Sequence, residues 1–258
     1  MMEFTFDLIS DLNIIDQLDW DNQPTSLFCV VAGNISVDRT ILLDTLTHLS
    51  THYKQVFYID GPLDHHWQMA DIYASYDNLI DSIKDIKNVV YCHNMICVIN
   101  ETAIISANGW WSFDWDDSFD DEQIQQHFAY TWHHHNMMNF LHYSLSDARY
   151  LRAGIEKLQA HEDINEIIVV TNTVPHKKLI EHDTKYSDNV AVNFLGNSMI
   201  TDCLESDHLG KVSTWCFGNY PHAIDTEIDG VRYVSNPRGL QDQPWTKAVY
   251  YPLVIKSP

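Results

Sequence analysis

Short apolar runs closed by turn-forming residues alternate along this chain with longer stretches whose apolar residues recur at helical spacing. The first run, residues 4–9, ends at Ser10, Asp11, Leu12 and Asn13. The second, 26–32, ends at Gly33 and Asn34, and the third, 55–59, at Asp60, Gly61 and Pro62. Apolar runs of this length bounded by Gly, Asn, Asp and Pro predict buried strands feeding loops of a functional kind. Between the second and third, residues 38–53 place Ile41, Leu42, Thr45, Leu46 and Leu49 at helical spacing, so strand, helix and strand follow in order.

Residues 71–86 predict another amphipathic helix, 89–90, 95–99 and 103–107 a meander of short strands, and 121–160 a long helical region. Residues 166–171 form a further apolar strand that ends in Asn172, Thr173, Val174, Pro175 and His176. Residues 212–217 lead into Gly218, Asn219, Tyr220, Pro221 and His222. A hairpin over 223–228 and 231–235 turns at Asp229 and Gly230, and a last strand spans 249–255. No repeat, low-complexity tract or Pro/Gly-rich linker divides the chain. Residues 1–258 therefore read as one α/β domain with two sheets and flanking helices.

Charge changes the picture most. Fifteen basic against 36 acidic residues give a formal net charge of −21, which repels nucleic acid, anionic membranes and polyphosphates at long range. Neither nucleic-acid nor membrane binding is expected, and no stretch approaches the roughly 20 apolar residues needed to cross a bilayer. A cytoplasmic location, or a place in an assembly formed in the cytoplasm, is the expectation. Part of the acidity is local: residues 113–122 interleave aromatic and acidic side chains, as a surface loop that docks a partner would. Cys29, Cys92, Cys97, Cys203 and Cys216 are scattered and mostly set in apolar text, which reads as buried thiols and not as disulfides or zinc ligands.

Several candidate chemistries can be weighed directly. His133, His134 and His135, with Asp64, His65 and His66, are residue types that could build a metal site. Consecutive residues on a helix point about 100° apart, however, so three in a row cannot converge on one ion. No Gly-x-Ser-x-Gly elbow and no glycine-rich phosphate loop is present. Trp110, Trp111 and Trp115 suit packing better than a binding platform.

The strand-end loops, taken together, carry a resemblance. Asp11-Leu12-Asn13, Gly33-Asn34, Gly61-Pro62-Leu63-Asp64, Asn172 ahead of Pro175, and Gly218-Asn219-Tyr220-Pro221 follow one another in an order that resembles the calcineurin-like metallophosphoesterases. That family's motifs run Asp-x-His, Gly-Asp, Gly-Asn-His-Asp/Glu, a His before a Pro, and Gly-His-x-His. Asn108-Gly109-Trp110-Trp111, Asn236-Pro237-Arg238-Gly239 and the closing residues 252–255 are similar to the family framework as well. The resemblance implies a metallophosphoesterase-like two-sheet sandwich flanked by helices, the αββα arrangement.

What the resemblance implies about chemistry is negative. Phosphoester hydrolysis with two metals needs a bridging carboxylate, further carboxylate, imidazole and amide ligands, and an acid for the leaving oxygen. By the resemblance, Asn13 stands for a ligand His, Asn34 for the bridging Asp, Pro62 for a ligand Asn and Leu63 for the histidine acid. Asn172, Asn219 and Pro221 stand for further His ligands, and Asp11 alone keeps its ligand type. The expectation is a pseudoenzyme without metal or other cofactor, its site turned into a neutral amide network, acting as a structural or interaction subunit with a protein partner or as a homo-oligomer. Family members occur in bacteria and their phages, so a phage particle is one such assembly. The alternative is an active phosphoesterase that uses Mn, Fe, Ni or Zn on a rearranged set, Asp11, Asp64, His176 and His222. A vacated pocket that binds a ligand without turning it over is also physically allowed.

Overall fold

Phe6, Leu8, Val30 and Ala32 alternate along neighbouring strands and meet Ile104, Ile168, Val170, Cys216 and Val234 in a layer with no contact to water. That layer separates two β-sheets. The computed structural model describes residues 4–15, 23–66, 71–186, 189–239 and 250–256. Its strands are β1 (Thr5–Ile9), β2 (Phe28–Ala32), β3 (Gln55–Ile59), β4 (Val89–Tyr91), β5 (Met95–Ile99) and β6 (Thr102–Ser106), then β7 (Glu166–Val170), β8 (Val212–Cys216), β9 (Ile224–Ile228), β10 (Val231–Ser235) and β11 (Leu253–Lys256). One sheet runs β11-β1-β2-β3-β4 and the other β5-β6-β7-β8-β10-β9. The inner pairings β1-β2-β3-β4 and β6-β7-β8-β10 are parallel, and β11, β5 and β9 close the edges antiparallel.

Helices cover both outer faces. α1 (Arg39–His52) starts where the Asp38 side chain accepts from the N–H groups of Thr40 and Ile41. Its Leu42, Leu46 and Leu49 pack on Val31, Val56 and Tyr58, joined by Leu79 and Ile83 of α3 (Ile72–Ile83). Each such side chain contributes roughly 1.5–3 kcal/mol by leaving water. On the other sheet, Leu151, Ile155 and Leu158 pack on Ile105, Ile167, Val169 and Trp215. A four-residue helix, α2 (Pro62–His65), occupies a segment expected as loop, with proline in its first turn.

The helical region expected over residues 121–160 is two helices, α4 (Asp121–Thr131) and α5 (Met137–Gln159). Between them the chain turns at Trp132, and the Asn136 side chain caps α5 by accepting from Met138 N–H. His133, His134 and His135 lie in this turn, so the helical argument against their convergence does not apply to them. The segment 177–206 was not expected to be regular. It contains short 3-10 turns and α6 (Ser198–Thr201). The hairpin turns where expected, with positive φ at Asp229 and Gly230. Of the last expected strand, Val249 lies outside the described residues. Among the described residues, no helix is long and apolar enough to cross a membrane.

Residues 113–122 differ in character from the expected aromatic docking loop. Phe113 and Trp115 are buried, and so are Trp110 and Trp111. The segment is tied down by Asp116 N–H to Asn193 Oδ1 at 2.7 Å and by Ser198 Oγ to Asp114 Oδ2 at 2.7 Å. Asp114, Asp117, Asp120, Asp121 and Glu122 are left outside. The aromatics anchor and the acids face water, because burying a ring is favourable and burying an unpaired carboxylate is not.

Candidate functional site

Parallel strands gather their carboxyl-end loops on one rim, where ligands of α/β folds bind. Both sheets contribute to a single rim here. Asp11 and Asn13 follow β1, Asn34 follows β2, and residues 60–64 follow β3. Asn172 follows β7, and Gly218 and Asn219 follow β8. Asn172 Nδ2 reaches across to the Ala32 carbonyl at 2.8 Å, so the two sheets are stitched together at this point. Gly218 sits so tightly that a Cβ there would lie 2.4 Å from the Ala32 oxygen and 3.0 Å from both Asn172 Nδ2 and Asp11 Oδ2.

Asp11 (φ 47°), Asn13 (48°), Asn34 (58°) and Asn219 (58°) all adopt left-handed backbone. Asp and Asn tolerate that conformation better than other residues with a Cβ. Sharp strand-end turns therefore account for part of the asparagine pattern independently of any ligand chemistry.

The side chains form a connected set. Asp11 Oδ1 accepts from Asn34 Nδ2 at 2.8 Å and from Asn219 N–H at 2.9 Å. Asn34 Oδ1 accepts from Leu63 N–H at 3.0 Å, and its second amide hydrogen points toward Asn219 Oδ1 at 3.5 Å. Asn13 Nδ2 donates to the Asp11 carbonyl at 2.8 Å, and Asn219 Nδ2 to the carbonyls of Phe194 and Leu195. Two buried acceptors have no partner: Asp11 Oδ2 and Asn172 Oδ1. Burial pushes the Asp11 carboxyl up to about 7, opposed by its bonds from Asn34 and Asn219.

Asp64 is used differently. Its Oδ2 accepts from Asn34 N–H, Gly61 N–H and Tyr58 Oη, and its Oδ1 from Ile35 N–H and Ser36 N–H. These donors hold the loops after β2 and β3 together. Burial still raises Asp64 to about 6 against these hydrogen bonds. His176 caps a short turn by accepting from Lys178 N–H and lies beside Tyr233. His222 faces Tyr220 and Asp183. Neither histidine is among the residues that line the cavity described next, and Pro221 is not either.

A cavity of about 300 Å³ opens over the amide set. Its lining combines the amides of Asn13, Asn34 and Asn219 with the aromatic rings of Trp111, Trp132 and Phe194, and Pro62 and Leu63 line it as well. His127 also lines it, its pKa lowered by burial. Of these, His127, Trp132 and Phe194 were not singled out from the sequence, because the turn after α4 and the 3-10 segment containing Phe194 reach the rim only through the tertiary fold. A smaller hollow, about 20 Å³, is lined by His66 with His133, His134 and His135. Among the described residues, no three His, Cys, Asp or Glu side chains are grouped so as to hold a metal ion. The cysteines are free thiols, and only Cys97 is not fully buried.

Beneath the rim lies a second polar cluster that sequence reading missed. Asp60 accepts from Tyr91 Oη at 2.7 Å, Tyr76 Oη at 3.1 Å and Asn108 Nδ2 at 2.7 Å, with His65 Nε2 at 2.8 Å. His65 Nδ1 lies 2.7 Å from Ser75 Oγ, so Asp, His and Ser stand in series. All three are sealed from solvent, which leaves a nucleophile no route to a substrate. Burial alone would raise Asp60, yet the hydrogen bond and charge of His65 hold it well below the usual carboxylate range.

This architecture is found among solved structures. The fold is similar to phosphopantetheinyl hydrolase from Mycobacterium tuberculosis, with a TM-score of 0.69 at 14% identity over 94% of this chain and 93% of that one. GAP50, the anchor in the inner membrane complex of Plasmodium, gives 0.53 at 10% identity over 98% and 81%. A candidate 5'-nucleotidase from Staphylococcus aureus in complex with alpha-ketoglutarate gives 0.50 at 12% identity over 92% and 49%. No family model and no curated protein matches the sequence. At these identities the likeness shows the fold alone: a metallophosphoesterase-like pair of mixed sheets flanked by helices. Phosphoesterase-fold hydrolases are among its neighbours.

Proposed function

We propose that this protein is a catalytically silent form of the metallophosphoesterase fold, a pseudoenzyme that serves as a structural or interaction subunit. The observation that carries this reading is the amide set itself: Asp11, the carboxylate within it, spends an oxygen on Asn34 and the Asn219 backbone. As ligands for two metals these residues fit poorly. Neutral amide oxygens are weaker partners than carboxylates for a divalent ion, and Pro62, Leu63 and Pro221 bring no ligand atom. Asn34 in the bridging position has its Oδ1 taken by Leu63 N–H. With a pKa of about 7, Asp11 carries a proton below neutrality, which suits an uncharged network.

The exposed acids of residues 114–122 support docking to a cationic protein surface, and a second copy of the chain is the other partner class. GAP50, named as an anchor in a membrane complex, supports a scaffold role for this fold. A cytoplasmic setting, with neither nucleic acid nor membrane as partner, belongs to the same reading.

One observation favours a second reading, an active phosphoesterase with Mn, Fe, Ni or Zn on a rearranged set. Asp11 Oδ2 and Asn172 Oδ1 are both buried and unpartnered, and a cation is one way to satisfy two acceptors. Against it, Asp64 is saturated by backbone donors and Tyr58, while His176 and His222 are engaged elsewhere.

The test is to measure bound metal in the purified protein and turnover of an aryl phosphate monoester and diester with Mn²⁺ or Ni²⁺ added, with Asp11→Ala alongside. The pseudoenzyme reading expects metal far below one equivalent and no turnover above the Asp11→Ala background. Near-stoichiometric metal, with turnover lost in Asp11→Ala, would establish the second reading instead.

A further inference from the structure

We infer that the cavity over the amide set is a binding pocket for an uncharged ligand joining a small ring to an amide edge, of the size of a nucleobase, a nucleoside or a nicotinamide. The inference rests on the pseudoenzyme reading, because it takes the rim as neutral and free of metal.

Size sets the first limit. About 300 Å³ lies at the lower end of small-molecule pockets, enough for a ring system and little more. The walls set the second. Trp111, Trp132 and Phe194 give the lining an apolar aromatic surface, and Leu63 and Pro62 add to its apolar part. A ring buried against that surface leaves water on both sides of the contact.

The asparagines of the lining set the polar requirement through their hydrogen-bond accounting. Asn34 has its amide hydrogens committed to Asp11 and toward Asn219, and its oxygen already takes Leu63 N–H, so it keeps at most one acceptor site. Asn219 spends its amide hydrogens on two backbone carbonyls, while its Oδ1 receives only the long 3.5 Å contact. That oxygen remains an acceptor facing a ligand N–H. Asn13 uses one amide hydrogen on the Asp11 carbonyl, leaving its second N–H and its oxygen. One acceptor beside one donor and acceptor is the complement of a –CO–NH– edge.

Charge excludes the phosphorylated counterparts. No Lys or Arg is among the described residues that line the cavity, and the whole protein carries −21. Burial lowers the pKa of His127, which disfavours a positive charge there. A phosphate would enter against this field with no cation to meet it.

The experiment titrates metal-free, EDTA-treated protein with uridine, nicotinamide and N-acetyl-tryptophanamide, each against uridine 5'-monophosphate, by saturation-transfer NMR and tryptophan fluorescence. At least one uncharged probe is expected to saturate in the range of roughly 0.1–5 mM, as small ligands do, and the monophosphate to bind at least about 10-fold more weakly. Leu63→Trp, which adds bulk to the lining from a half-buried helical position, should weaken the uncharged probe at least about 10-fold. Thr131→Phe, at another residue of the lining, should do the same, with melting temperatures showing both variants folded. Saturation by none of the three uncharged probes, equal or tighter binding of the monophosphate, or insensitivity to both variants overturns the inference. Monophosphate binding that appears only when Mn²⁺ is restored would overturn the pseudoenzyme reading with it, whereas failure of the uncharged probes on metal-free, inactive protein leaves that reading standing.

Discussion

Asp11 and Asp60 stand at the carboxyl ends of β1 and β3 in one sheet, both cut off from water, and their surroundings have little else in common. Asp60 is met by Tyr76, Tyr91, Asn108 and His65, and is held below the usual carboxylate range. Asp11 has two donors on one oxygen and none on the other, and burial raises it to about 7. Saturation marks a carboxylate that serves the structure; a buried oxygen without a partner calls for a separate explanation. The cavity opens over Asp11 and not over Asp60, which is consistent with that division.

The comparison can be broken most severely at Asp60. Asp60→Asn puts an amide N–H among donors that expect an acceptor, and should cost about 3–5 kcal/mol, read as a lower denaturation midpoint. A loss under 1 kcal/mol would mean the cluster is looser than its geometry. Gly33→Ala is next. At φ +76° its Cβ would lie 2.4 Å from Asn172 Nδ2 and 2.8 Å from Gly61 N, so about 2–3 kcal/mol should be lost. An unaffected melting temperature would show that the rim can relax.

Asp11→Asn is the smallest effect and the most diagnostic. The folded state binds the Asp11 proton more tightly than the unfolded chain does, so this contribution is full below pH 3.8 and declines as pH rises to about 7. The substitution should remove that decline and raise stability at pH 8 by about 1–3 kcal/mol, leaving the lesser slope of Asp64, which burial raises to about 6. Urea midpoints at pH 4, 6 and 8 check it. Destabilisation at pH 8 would place a needed negative charge at Asp11, as a bound cation requires.

Most strands, α1, α3 and the hairpin turn were legible in the sequence because each depends on local periodicity or on turn residues such as Asp229 and Gly230. The break between α4 and α5 was not, since Trp132 and the histidines after it are neither Gly nor Pro, and the helix ends instead where Trp132 packs into the aromatic cluster with Phe140 and Trp111. At the rim, the identities of Asp11, Asn34, Asn172 and Asn219 could be read in order along the chain, but their pairings could not. Asp64 illustrates the limit: its carboxylate looks like a candidate ligand in the sequence, and the fold surrounds it with backbone N–H groups from the loop after β2.

By itself, then, the chain determined its strand-and-helix order, its strong negative charge and which residue types stand at the strand ends, because these follow from local spacing and composition. Only the tertiary structure decided which oxygens are satisfied, that two sheets share one rim, and that Trp111, Trp132 and Phe194 line one cavity with the asparagines. Hydrogen-bond satisfaction and enclosure are properties of atoms brought together from distant parts of the chain, and no local pattern encodes them.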